Sequence, residues 1–348
     1  MMERYSELRV LRWYDRIQAS LQPEGDAPGP IRANLDLTNL CSHACPWCEP
    51  LDFRKATIAG NRHTLPKDIA EGVLSDLREM DCRLINFSGG GEPTLHRDFG
   101  PLLETAHRHG FRTNVITHGG FIDRWTDYLV DCADHIRVSL DSSCDAEHRQ
   151  MHGSKSGEFR RVVGNIRSLV KARGDKRSPE IGIAYIVADC NRTYYSILPF
   201  LEMAQECGVD FVHFRPVSEQ TRQFMHGDWN AASALIAHVA KKFPRLDVRI
   251  LGKRGNDVFT QREFDKCYAA YTLAVIGANG DVSACCDQRT IVFGSVHEKR
   301  FRDIWQSQEH RKKAAAIVPR LCRICLMCDY NRAVRKYVVG NEALPEML

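Results

Sequence analysis

Cys41-Ser-His-Ala-Cys45-Pro-Trp-Cys48 places three cysteines within eight residues, spaced C-x3-C-x2-C. The stretch before it, Ile31–Thr38, alternates and is β-branched enough to read as a strand. Three thiolates on a tight loop can hold three corners of a [4Fe–4S] cluster and leave the fourth iron without a protein ligand. An iron left open in this way can bind and reduce a small molecule. The competing reading is a zinc site, with His43 as a fourth ligand.

Outward from this loop, the pattern predicts strands at 31–38, 83–88, 112–117, 135–141, 180–187 and 209–215. Helices are expected near 67–80, 98–109, 121–132, 157–173 and 192–207. Strands alternating with helices at this spacing are βα units on a parallel sheet. Right-handed crossovers wind six such units into a curved sheet or incomplete barrel, although periodicity alone leaves a doubly wound open sheet as an alternative. An amphipathic helix over 3–20 and a proline- and glycine-rich linker at 23–30 precede the first strand. After a composition change at 217–228 come an alanine-rich helix (230–243) and a strand, Asp247–Leu251. The expected division is a helix and linker (1–30), an α/β barrel unit (31–225) and a smaller α+β unit (226–348).

Ligands of parallel α/β folds collect at the C-terminal ends of the strands. The second strand ends in Ser88-Gly89-Gly90-Gly91-Glu92, where glycines let backbone approach a ligand. The third ends in Thr117-His118-Gly119 and the fourth in Arg137-Val-Ser139-Leu-Asp141. The fifth leads to Asn191, and the sixth ends in Arg215. The plainer readings are a turn with a solvated Glu92, helix capping by His118, Ser139, Asp141 and Asn191, and a structural ion pair for Arg215. His148 and His152 read as structural or surface residues.

The chain of 348 residues has fourteen cysteines, yet its N-terminus is charged from the third residue and no run of eighteen apolar residues exists. The expectation is a reducing cytosol with metal–sulfur chemistry, without disulfides or a membrane span. Nine of the cysteines fall in three groups, 41/45/48, 267/285/286 and 322/325/328. The apolar runs 272–276 and 282–285 flank Asn279-Gly280, which predicts a β-hairpin that brings Cys285 back toward Cys267. With the tail cysteines, four thiolates then converge on a closed [4Fe–4S] site, zinc being the alternative. Cys267, Cys285 and Cys322 are the first ligands, Cys325 the fourth, with Cys328 in reserve. Cys286 points away from that site and reads as a free thiol facing substrate. A net charge of +4 gives no basic face for nucleic acid, and Lys299–Arg302 and Arg311–Lys313 read as solvated helix faces.

The cysteine loop after a first strand, with Trp47 just before its last cysteine, resembles the radical S-adenosylmethionine (SAM) superfamily. The resemblance implies a partial (β/α)6 TIM-like barrel, with SAM chelated by the open iron and cleaved to a 5′-deoxyadenosyl radical that abstracts hydrogen. It assigns Trp47, Ser88, Gly89, Gly90, Gly91 and Glu92 to cofactor binding, with the SAM amino group held by the glycine turn and the Glu92 carboxylate. Ser139 and Asp141 go to the ribose or carboxylate, and the Asn191 segment goes to the adenine. His118 departs from the asparagine of many relatives, and Arg215 would clamp a carboxylate of SAM or substrate. The pattern C-x12-G-x4-C followed by C-x2-C resembles the SPASM/twitch module and implies one auxiliary [4Fe–4S] cluster. In related epimerases a cysteine thiol returns hydrogen to the substrate radical, a role here given to Cys286.

The function so implied is hydrogen abstraction from a small polar substrate: a sugar, aminocyclitol or sugar nucleoside of an antibiotic or other natural-product pathway. The outcome is dehydrogenation, epimerisation, dehydration or decarboxylation, and a reducing partner such as flavodoxin or ferredoxin supplies the electron. Glu49, Asp52, His63, His118, Arg215 and Glu219 are the polar residues expected around the barrel mouth. The alternatives are maturation of a ribosomal peptide, against which the short segment before the first strand counts, and a non-catalytic iron–sulfur or zinc scaffold. A tRNA-modifying role lacks a basic stripe.

Overall fold

The computed structural model describes residues 7–22, 27–48, 61–217, 229–250, 264–322, 325 and 327–340. Seven strands lie side by side in parallel: β1 (Arg32–Leu35), β2 (Leu84–Phe87), β3 (Arg112–Thr117), β4 (His135–Ser139), β5 (Glu180–Val187), β6 (Phe211–Pro216) and β7 (Asp247–Ile250). Helices α1 (Tyr14–Leu21), α2 (Lys67–Glu79), α3 (Phe99–Arg108), α4 (Thr126–Cys132), α5 (Asp145–His152), α6 (Glu158–Arg173) and α7 (Tyr194–Cys207) follow the expected pattern. The first helix begins as a tight 3-10 segment, Glu7–Trp13, before α1. Each α/β crossover buries its strand from both sides, so β5 is buried at seven of its eight positions. Helix α7 ends at Gly208, whose φ of +70° forms a left-handed cap that favours glycine.

The barrel interior carries a polar belt. Asn34, Asn86, Asn114, His135 and Glu180 occupy paired register positions on β1 to β5. Asn86 Nδ2 donates to Asn34 Oδ1 at 2.8 Å, and Asn114 Nδ2 donates to Asn86 Oδ1 at 3.0 Å. His135 Nδ1 meets Asn114 Oδ1 at 2.7 Å, and Arg249 on β7 reaches Glu180 at 2.5 Å while stacking over Phe211 of β6. A half-buried polar chain is stable when every member finds a partner, and this one spans the sheet below the strand ends.

The C-terminal segment completes the sheet. β8 (Leu273–Ile276) pairs in parallel with the outer edge of β1, Arg32 opposite Leu273. β9 (Asp281–Ser283) and β10 (Val292–Ser295) then run antiparallel, β8 turning into β9 at Gly280, whose φ is +83°. The order is therefore β10-β9-β8-β1-β2-β3-β4-β5-β6-β7. This is a mixed α/β fold, a partial barrel with a small C-terminal domain. The segment 218–228, where the boundary was expected, lies outside the described residues. Among the described residues no helix is long and apolar enough to cross a membrane.

Candidate active site

A cavity of about 590 Å³ opens at the C-terminal ends of the parallel strands. Cys41, Cys45 and Cys48 line it together with Gly89, Gly90 and Gly91. Backbone bonds fix the loop that carries the cysteines: Ala44 N–H donates to His152 O at 2.7 Å, and Glu92 N–H donates to Leu40 O at 2.7 Å. The glycine turn fits only without side chains. Gly89 has φ of +82°, and a Cβ there would overlap the Asp36 carboxylate, while a Cβ at Gly91 would collide with the Leu40 carbonyl. Gly89→Ala is expected to cost about 1–2 kcal/mol from the left-handed backbone alone, with the carboxylate clash in addition. A lower thermal midpoint and weakened SAM binding are the measured outcomes; unchanged values in both would show that the turn tolerates a side chain.

Glu92 faces inward. Its Oε1 accepts from Thr94 N–H (3.1 Å), Thr94 Oγ1 (2.5 Å) and Thr117 Oγ1 (2.6 Å), and its Oε2 accepts from His118 N–H (2.8 Å). The carboxylate expected to hold the SAM amino group is thus occupied as a pin between the ends of β2 and β3, although Glu92 still lines the cavity. The solvated-Glu reading fails, since the residue is 3% exposed. His118 lines the cavity, accepts Gly120 N–H on Nδ1 at 3.0 Å and places Nε2 3.2 Å from Ser42 Oγ.

His43, His118, His148 and His152 form a buried group behind the cysteine loop. His43 stacks on His118 with centroids 3.9 Å apart, and His148 lies 4.5 Å from His152. His148 and His152 are therefore interior rather than surface residues. Burial pushes His152 down to about 3 and holds His43 and His148 below the ordinary histidine range. His152 Nδ1 is 3.2 Å from Cys45 Sγ, and Trp47 packs edge-on against the His152 ring. His43, Cys45 and His152 also stand close enough to share one ion, which is the arrangement a zinc site would use.

Asp141, on the cavity wall, has φ of +54°, an uncommon conformation for a non-glycine residue. Burial raises its carboxyl to about 6, against the pull of the Ile186 N–H bond and the charges of Arg215 and Arg137. Ser139 and Arg215 line the same cavity, whereas Ser88, Asn191 and His63 do not. Asn191 is fully buried, and its amide accepts from Ala188 N–H and donates to the carbonyls of Asp141 and Ile186. The helix N-cap is Thr193 instead, and the Asn191 side chain clamps the ends of β4 and β5. Glu49, Asp52 and Glu219 lie outside the described residues.

In the C-terminal domain Cys267 is the common neighbour: its sulfur interacts electrostatically with those of Cys322, Cys325 and Cys285. Asn331, which sequence reasoning missed, bonds Cys325 Sγ at 3.7 Å and also touches Cys267. Cys328 donates to Cys325, which lowers Cys325 and raises Cys328. Cys286 departs from this group and lines the cavity, as do Asp287 and Arg289, while Cys285 does not. Asp36 and Arg289 were also missed. Arg289 Nη2 lies 2.5 Å from Asp36 Oδ2 across two units of sequence that no local pattern relates.

The radical SAM superfamily profile matches residues 35–187, and that of the SPASM iron–sulfur cluster-binding domain matches 267–341. Among solved structures, Streptococcus suis SuiB bound to precursor peptide SuiA aligns at TM-score 0.65 and 15% identity, covering 90% of this chain and 73% of that one. SuiB bound to S-adenosylmethionine gives 0.63 and 18%, covering 87% and 72%. Native anSMEcpe with bound AdoMet and Cp18Cys peptide gives 0.57 and 13%, covering 90% and 99%. At these identities the likeness is one of fold. The chain carries a radical SAM domain followed by a C-terminal iron–sulfur cluster-binding domain, and it is an enzyme. Its cofactors are a [4Fe–4S] cluster, SAM and an auxiliary iron–sulfur cluster. The residues fit them: three cysteines share one cavity with a side-chain-free turn, and the second cysteine group gathers around Cys267.

Proposed function

We propose that Cys41, Cys45 and Cys48 hold the SAM-binding cluster and that Gly89–Gly91 seat SAM. A small polar substrate then lies between SAM and the wall formed by Arg215, Asp287 and Cys286. Reductively cleaved, SAM supplies a 5′-deoxyadenosyl radical that takes a hydrogen atom from a substrate C–H bond. Cys286 then gives its S–H hydrogen to the substrate carbon radical. The resulting thiyl sulfur takes one electron from the protein reductant and one proton from solvent. Delivered to the face opposite the one from which hydrogen was taken, the returned hydrogen leaves the carbon with its original hydrogen count and inverted configuration, so the outcome is an epimerisation.

The observation that carries this reading is that Cys286 shares the cavity with the three cysteines while its neighbour Cys285 does not. A cavity of about 590 Å³ is in the range of small-ligand sites, and here two small molecules must share it. The aminocyclitols, amino sugars and sugar nucleosides of natural-product pathways are the substrate class of choice. A second reading, insertion of a peptide side chain, draws on the peptide complexes of SuiB and anSMEcpe.

Cys286→Ala is expected to keep 5′-deoxyadenosine formation within about 3-fold and lower product at least ~100-fold. In D2O the wild type should place one deuterium at the reacting carbon. A wild-type product without solvent deuterium, or a Cys286→Ala variant with normal turnover, would overturn the hydrogen-return step. A panel of sugars, nucleosides and peptides, scored by substrate-dependent 5′-deoxyadenosine, decides between the two substrate readings.

A further inference from the structure

The side chain of Arg289 is only 12% exposed and bonds in two directions. Its Nε–H donates to the Cys286 carbonyl at 3.1 Å, and its Nη2 pairs with Asp36 Oδ2 at 2.5 Å. Asp36 is 1% exposed and stands between β1 and Cys41. The same Oδ2 accepts Gly90 N–H at 3.1 Å, and Gly89 packs too closely on this carboxylate to admit a Cβ. The Asp36 backbone N–H is held in turn by the Ile276 carbonyl at 2.9 Å. One carboxylate oxygen is therefore shared by the glycine turn of the barrel and by the arginine that holds the Cys286 backbone.

We propose that Arg289 is the positioning residue for Cys286, and that through Asp36 it couples the placement of that thiol to the seating of SAM on Gly89–Gly91. The coupling to catalysis rests on the hydrogen-return reading of Cys286; the positioning does not. A planar guanidinium is required because two acceptors lie in different directions, a carbonyl on the hairpin loop and a carboxylate on the barrel. A lysine presents one ammonium and serves one of them at a time. With neither, the buried Asp36 carboxyl keeps the Gly90 N–H as its single donor and loses its tie to the hairpin loop, so the turn and the loop loosen together.

The test compares anaerobic, cluster-loaded wild type with Arg289→Gln, Arg289→Lys and Asp36→Asn. Amide hydrogen exchange is read by mass spectrometry over 284–291 and 88–92. Arg289→Gln is expected to exchange at least ~10-fold faster in both segments, with 112–117 and 180–187 unchanged, and Arg289→Lys should fall between it and wild type. The ratio of 5′-deoxyadenosine to product should rise at least ~10-fold in Arg289→Gln, because SAM is still cleaved while the thiol is misplaced. Wild-type exchange in either segment overturns the proposal. If Arg289→Gln loses protection throughout the sheet, Arg289→Lys and Asp36→Asn decide by the same two segments. If Cys286→Ala keeps normal turnover, the hydrogen-return reading falls, and exchange still judges the positioning role by itself.

Discussion

Replacing Cys41, Cys45 or Cys48 singly by alanine is expected to abolish 5′-deoxyadenosine formation and halve the iron content. Two clusters correspond to about eight irons and eight sulfides per chain, and loss of one leaves about four of each. The three thiolates occupy one short loop whose backbone is already fixed by His152 O and by Cys48 N–H donating to Cys45 O at 3.2 Å. No other cysteine among those of the barrel lines the cavity. Cys267→Ala should give the complementary result: about four irons, with the barrel cluster intact and able to cleave SAM. Zinc bound at the amino-terminal triad, or eight irons retained in all three variants, would refute the assignment.

Glu92→Ala is expected to be strongly destabilising. It leaves two backbone N–H groups, of Thr94 and His118, and two threonine hydroxyls without their acceptor in a site 3% exposed. Orphaned buried donors cost about 1–3 kcal/mol each, and partial relaxation brings the sum to about 3–5 kcal/mol. Glu92→Gln should cost less: its oxygen can still serve the threonines, while its amide group opposes His118 N–H. Thermal or denaturant unfolding measures both. If Glu92→Ala unfolds like wild type yet binds SAM poorly, the carboxylate is a cofactor ligand after all.

The βα alternation is legible in the sequence because each strand is a short apolar run between amphipathic helices. β3 at 112–117 and β5 at 180–187 lie where that pattern puts them. The cysteine groups are legible through spacing, since chelation by a short loop requires it. Roles that depend on direction are not. Glu92 follows three glycines whether its carboxylate points outward or, as found, into Thr94 and Thr117. The polar belt of Asn34, Asn86, Asn114 and His135 is invisible because each member looks like an ordinary polar position within its own strand. Asp36 and Arg289 meet only through the pairing of β8 with β1, which no local signal encodes.

That same pairing has a consequence for biosynthesis. Arg32–Leu35 emerges from the ribosome early, yet Leu273–Ile276 arrives only after the other parallel strands have been made. Until then the nascent polypeptide holds its Cys41–Cys48 loop on a strand with one bare flank, and long-range pairing of this kind forms slowly. Iron–sulfur loading of the amino-terminal loop should therefore mature after translation ends, and a chain stopped at residue 217 should remain colourless.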